Sequence, residues 1–421
     1  MFDKLFVRPA VLTRHQEAPY AQERETYLAH CAQEGYAHAT LMETATVLLS
    51  VAREWGPGRG RSITPAQIKT AAKRWLKKTG HAEQACTHPG RDRRGELYAP
   101  FVRTAKKWLQ FLGRLAEPVA KPVPFSSVSD EFAAWMVEER GLSPATIRQR
   151  LWQVHKFLRG YGKRRSSLAQ VKVQDVDSFL AACGARGCGR GTLRLAAQSL
   201  RAFFRFVGMR RGCNPAVAEA IEGPCVFRHE TLPAGPRWEE VRRLVVSLGT
   251  DRPSDLRNRA LVLLLATYGL RAGEVCQLRL DDLDWERRRI WVRRPKQRRS
   301  QVYPLAPTVG DALDRYLKRA RPAGAYRELF LSLHAPLRPI TRGSIGQMLT
   351  RRFRALGIQT PHHGPHALRH ACAAHLLQEG FSLKEIGDHL GHRSPSSTAL
   401  YAKVDLEGLR EVAAFDLGGL R

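Results

Sequence analysis

The chain has 421 residues, 43% of them hydrophobic and 26% charged, a balance that fits packed globular domains and excludes wholesale disorder. Lys plus Arg number 69 against 39 for Asp plus Glu, and the resulting charge of +30 implies a phosphate-rich partner, with nucleic acid ahead of an acidic membrane. No apolar run approaches the ~20 residues of a membrane span, and Met1 to Pro9 lacks the apolar stretch of a secretory signal, so a soluble cytoplasmic protein with no membrane partner is expected.

Two proline-rich breaks, EPVAKPVP at Glu117 to Pro124 and HETLPAGP at His229 to Pro236, divide the chain into segments 1–117, 118–228 and 237–421. The first reads as four helices: Glu23 to Glu34, Ala39 to Trp55, one opened by Thr64-Pro65 and running to Lys78, and Tyr98 to Leu112. The second repeats the plan with Phe132 to Glu139, a helix capped by Ser143 with Pro144 in its first turn, Val173 to Ala182, and Thr192 to Val207. YAPFVRTAKKWLQFLG at Tyr98 resembles TLRLAAQSLRAFFRFVG at Thr192, which suggests an internal duplication, although any two amphipathic helices share some likeness. Eight cysteines are scattered and only Cys183 and Cys188 are close, so reduced thiols and no zinc site are expected.

The third segment is mixed. Leu261 to Thr267 reads as a buried helix, Arg289 to Arg294 and Gln301 to Leu305 alternate like a strand pair, and the chain is helical again from Ser344. Between Trp285 and Ser300 lie seven Arg and one Lys, among them Arg293, Arg294, Arg298 and Arg299. Such a run is usually a solvated face, but a dense basic hairpin on a basic protein reads better as a contact to the DNA backbone.

Five features then follow in order: Arg271 in TYGLRAGEV, Lys296 in RRPKQRRSQVYPL, His366 and Arg369 in HALRH, His392 in LGHRS, and Tyr401 in TALYAKV. Each alone is weak, since a single Arg, His or Tyr is more often surface or packing. Their order and wording resemble the catalytic domain of the tyrosine recombinases, the phage integrase family. The segment 118–228 resembles, more loosely, the helical core-binding (SAM-like) domain that these enzymes carry before it. The resemblance implies a mainly α fold with a small antiparallel sheet in the catalytic domain, a helical core-binding domain and a second helical domain at the N-terminus. It implies Arg271 and Arg369 on the scissile phosphate, Lys296 as acid, His366 and His392 in support, Tyr401 as nucleophile and Glu274 beside Arg271.

The chemistry fits those residue types. Attack on a phosphodiester builds charge on its non-bridging oxygens, which two planar guanidiniums can hold bidentately. A phenol needs a base, for which His366 is available, and the leaving 5′ oxygen needs a proton, which Lys296 between Arg294 and Arg298 could supply. A bond stored as a 3′-phosphotyrosine needs no ATP to be rejoined, and no phosphate loop or carboxylate cluster asks for a nucleotide or a metal. No cofactor is expected.

The reading is therefore a site-specific recombinase acting on double-stranded DNA, assembled as a homo-oligomer, a tetramer on DNA, with other recombinases of the same mobile element as further partners. Two alternatives stand beside it: a type IB topoisomerase-like nicking and closing enzyme, and a catalytically silent DNA-binding accessory factor. The tail after Tyr401, with Leu406, Leu409, Val412 and Phe415 at helical spacing, suggests docking on a neighbouring subunit rather than solitary action, with packing on its own domain as the other reading. In the first segment Arg91, Arg93, Arg94, Lys106 and Lys107 favour DNA contact, although a solvated face explains them too.

Overall fold

The structure is a computed structural model that describes residues 1–56, 62–78, 93–116, 123–211, 214–225, 235–294, 299–392 and 394–401, with the backbone alone at 93–96, 211, 299 and 396. The fold is mainly helical with one small antiparallel sheet. It divides into two compact units, Val119–Thr231 and a unit joining Met1–Pro118 to Leu232–Arg421.

The N-terminal stretch begins with two short helices that the sequence reading passed over, α1 (Phe2–Leu5) and α2 (Pro9–Gln16). Pro9 stands in the first turn of α2, where its missing N–H costs nothing, and that was the available signal. Four longer helices follow: α3 (Ala21–Gln33), α4 (His38–Trp55), α5 (Pro65–Lys78) and α6 (Arg93–Phe111). They close over an apolar core that includes Leu28, Leu48, Ile68, Phe101 and Trp108.

The unit Val119–Thr231 repeats that plan with α7 (Ser126–Glu138), α8 (Pro144–Tyr161), α9 (Val173–Ala185) and α10 (Arg190–Arg211), followed by the short α11 (Pro215–Ala220). Ser143 caps α8 by accepting from the Thr146 backbone N–H at 3.3 Å. In each set the second helix packs on the first, third and fourth, and the third packs on the fourth. Each set also opens on an aromatic residue in the left-handed region, Tyr20 at φ 59° and Phe125 at φ 60°. An L-residue adopts that conformation at a cost, so its recurrence at the same place adds to the likeness of the two four-helix plans.

The C-terminal part is built on α13 (Pro253–Thr267), which is apolar all round from Ala260 to Ala266 and buries Leu256, Leu261, Val262, Leu264 and Leu265. Around it lie α12 (Trp238–Val246), the one-turn α14 (Ala272–Val275), α15 (Pro307–Arg319), α16 (Arg342–Ala355), α17 (Pro365–Gln378) and α18 (Leu383–Leu390). The sheet runs β1 (Leu283–Asp284), β2 (Arg289–Arg294), β3 (Arg299–Pro304), all antiparallel. Ile290 opposes Tyr303 and Arg294 opposes Arg299. Strict alternation along β2 turns Ile290, Val292 and Arg294 inward and Arg289, Trp291 and Arg293 outward.

Ser394 and Pro395 open, within the described residues, a 3₁₀ turn over Pro395–Ser397 that leads through turns to Tyr401. It is tied by Ala399 N–H to Pro395 O and Tyr401 N–H to Thr398 O, both at 2.9 Å. The tail beyond Tyr401, with its expected docking helix, lies outside the described residues.

Candidate active site

Arg271 is the N-cap of α14, and its backbone N–H and guanidinium both reach back to Glu274, at 2.9 Å and 2.8 Å. The carboxylate of Glu274 therefore fixes the rotamer of Arg271 as well as its charge. Arg369 lies one turn after His366 on α17 and is 4% exposed; it donates to Gly269 O and, at 2.9 Å, to Leu390 O. Burial and the neighbouring Arg271 lower its pKa to about 10, so it remains a cation at neutral pH. Arg271, Glu274, His366 and Arg369 line one open cavity of about 330 Å³ together with Gly273, Gln277 and Arg342.

The wall behind that cavity is the C-terminal end of α18. A helix end leaves its last carbonyls without intrahelical donors, and here side chains supply them. Gln301 donates to Asp388 O at 2.9 Å, Tyr303 to His389 O, and both Arg294, at 2.7 Å, and Arg369 to Leu390 O. Gly391 ends the helix in the left-handed region at φ 63°, and His392 N–H returns to Gly387 O at 2.8 Å. A Cβ on Gly391 would stand 2.5–2.7 Å from the Arg294 guanidinium, so glycine is required both for its backbone and for space.

Arg294 corrects an expectation. It does not lie on a DNA-facing surface: its side chain is 0% exposed, donates to Tyr303 Oη and Leu390 O, and sits 3.4 Å from the Glu274 carboxylate. The alternation that turns Ile290 and Val292 inward carries Arg294 with them, and that period was readable in the sequence. Arg293 faces outward, half-exposed, and is paired with Asp282 at 2.6 Å. Arg299 is described in its backbone alone, and Lys296 and Arg298 lie outside the described residues.

Tyr401 is 3% exposed and packs with Cys372, Ala373, Ile386 and Leu390. Its hydroxyl lies 2.9 Å from Nδ1 of His370, a residue the sequence reading did not select. His366, the base expected there, is instead on the cavity wall, its ring centroid 6.5 Å from that of His370. His370 stands four residues after His366 on the same helix, so spacing alone would have admitted it. Burial raises the Tyr401 phenol to about 12, against the pull of Arg369, and burial with the nearby His366 and Arg369 lowers His370 to about 4. The pair is thus a neutral phenol beside a neutral imidazole at physiological pH. With the proton of His370 on Nε2, the phenol donates and Nδ1 accepts.

His392 follows the end of α18 and holds the hydroxyl of Thr398 at 2.7 Å through Nδ1. Its pKa falls to about 4, first through burial and then through Arg369, Arg271 and Arg294. The described residues contain no group of three or more His, Cys, Asp or Glu that could hold a metal ion, and none of their helices is long and apolar enough to cross a membrane.

Comparison with known proteins gives this arrangement its class. The profile of the phage integrase family matches residues 237–407, and that of the phage integrase N-terminal SAM-like domain matches residues 130–211. Tyrosine recombinase XerA of Thermococcus kodakarensis is 33% identical, over 68% of this chain and 94% of its own length. A Sinorhizobium fredii protein named as an integrase/recombinase, y4rA, is 33% identical over 86% of this chain and 91% of its own, so its likeness extends into the N-terminal segment. The solved structure of XerH bound to palindromic difH matches with a TM-score of 0.55 at 18% identity, covering 85% of this chain and 98% of that one, a likeness of fold. The chain belongs to the phage integrase family, and it is a tyrosine recombinase.

Proposed function

We propose that the protein is a site-specific recombinase that cuts and rejoins DNA strands through a 3′-phosphotyrosine at Tyr401, in the integration, excision or transposition of a mobile element. The observation that carries the reading is the cavity that gathers Arg271, Arg369 and His366, with the Tyr401 hydroxyl bonded to His370 of α17, the helix that also carries His366 and Arg369. Two guanidiniums held by the fold offer donors to the non-bridging oxygens, whose charge grows during attack. Tyr401 Oη forms the bond to phosphorus as its proton passes to His370, and the bond to the 5′ oxygen breaks as that oxygen takes a proton from Lys296. Attack by a 5′-hydroxyl on the phosphotyrosine reverses each transfer and releases Tyr401.

A tyrosine buried to 3% exposure cannot meet a phosphate where it lies, so in this reading the segment 394–401 shifts when DNA enters. In this reading His392 and Glu274 support the two arginines. The segments 1–117, 118–228 and 237–421 act as a helical N-terminal domain for DNA binding or assembly, a core-binding domain and a catalytic domain. The enzyme works in the cytoplasm on double-stranded sites, as a tetramer of this chain or together with other recombinases of its element. Three related solved structures are titled as complexes with DNA: XerH with difH, the Tn1549 integrase with a circular intermediate, and a lambda integrase dimer with a core site.

The test is incubation with nicked DNA from the junction of its own element, comparing wild type with Tyr401→Phe. The expected result is a denaturant-resistant protein–DNA adduct from the wild type alone. Absence of an adduct on DNA that the wild type binds would overturn the reading and leave an accessory DNA-binding role. Relaxation of supercoiled DNA by a monomer, without strand exchange between two sites, would favour the topoisomerase-like alternative.

A further inference from the structure

The cavity holds a third guanidinium that no motif picks out. Arg342 opens α16, faces the cavity that Arg271, His366 and Arg369 line, and is exposed to solvent. Its guanidinium lies over the backbone of Gly273, where a Cβ would meet Nε at 2.8 Å and Cζ and Nη2 at 2.9 Å. A side chain at position 273 would displace the guanidinium from that place.

An arginine on a surface is usually a solvated charge, so its neighbours decide the reading. Arg271 pairs with Glu274, Arg293 with Asp282, Arg327 with Asp281 and Arg352 with Asp255. Arg342 has no carboxylate within ion-pair distance among the described residues, and its guanidinium lies against the backbone of Gly273. A cation beside two other cations, with no anion of its own, is repelled by them until an anion arrives. Arg271 and Arg369 are both committed to the cavity floor through Glu274, Gly269 and Leu390, whereas Arg342 reaches in from a separate helix.

We propose that Arg342 binds a non-bridging oxygen of the phosphate next to the scissile one on the strand being cut, and so sets the register of that strand in the cavity. This rests on the reading given under Proposed function. Two anionic oxygens presented in sequence by one strand match two cationic positions on two walls. Arg342 is in this role a binding and positioning residue, and the charge it neutralises is that of DNA.

The experiment measures affinity for the junction DNA against salt concentration, and adduct formation on nicked substrates carrying a neutral methylphosphonate at the scissile phosphate or at either neighbour. Arg342→Ala is expected to weaken binding roughly tenfold at moderate salt, uniformly across sequences, and to lower the salt slope by about 0.9. Its defect should disappear on one substrate only, the one neutral at the neighbouring phosphate. Arg342→Lys should keep the salt slope. Gly273→Ala, whose Cβ displaces the guanidinium, should reproduce part of the defect in the wild type and add no loss of affinity to Arg342→Ala. An unchanged salt slope in Arg342→Ala, or a defect that persists on every neutral-phosphate substrate, overturns the proposal. Failure of the wild type to form any adduct overturns the reaction instead, because the salt slopes report on Arg342 independently of cleavage.

Discussion

The wall behind the cavity and the strap that carries Tyr401 are held in opposite ways. In the wall, three successive carbonyls at the end of α18 receive donors from Gln301, Tyr303, Arg294 and Arg369, and Glu274 bridges Arg271 and Arg294. The bonds described for the strap include two between neutral side chains, Tyr401 to His370 and His392 to Thr398, beside a small apolar cluster. The charged groups of the wall are built into the core of the fold; Tyr401 is tied by bonds between neutral groups that can be exchanged at little cost.

The largest effect that could break this contrast is at Arg294. Replacing Arg294 by Met leaves the Leu390 carbonyl, Tyr303 and Glu274 short of a buried partner, and unfolding stability should fall by about 3–5 kcal/mol, read from the denaturant midpoint. Its folded fraction should keep the wild-type salt slope on DNA, because the side chain is buried; a lower slope would restore it as a DNA contact. Gly391→Ala comes next, with a loss of about 1–3 kcal/mol from the left-handed backbone, increased by the overlap with Arg294.

On the strap, Thr398→Val removes one hydroxyl from His392, and a loss of about 1 kcal/mol is expected. A loss as large as that of Arg294→Met would mean that the strap is part of the wall. The last test is that of pH. His370 and His392 have folded pKa values near 4, below the ordinary 6.5, so the unfolded chain takes up protons first as pH falls. Both imidazoles are neutral in either state above 6.5, stability declines from there towards 4, and His370→Phe should flatten part of that decline in midpoints measured between pH 7.5 and 4.5.

Much of this was legible in the sequence. The order Arg271, Lys296, His366, Arg369, His392, Tyr401 carried the family, because each residue type is fixed by the chemistry of phosphate or proton. Serine and proline placed the start of α8, whose cap follows local rules. Partnerships across the fold were not legible. Which histidine meets Tyr401 depends on how the strap returns over α17, and Arg342 enters the cavity only because α16 packs beside α14. Arg294 was an error of a different kind: the alternation was on the page, but the density of positive charge was given more weight than the period.

The bond between His392 and Thr398 fixes the length of a leash. While it holds, Tyr401 hangs three residues beyond an anchored point, a reach of about 10 Å for extended chain. Measured from His392, nine residues back, the reach of extended chain is about 30 Å, comparable with the width of a small domain. A single hydroxyl thus separates a tyrosine within about 10 Å of its point of attachment from one whose tether is about three times as long.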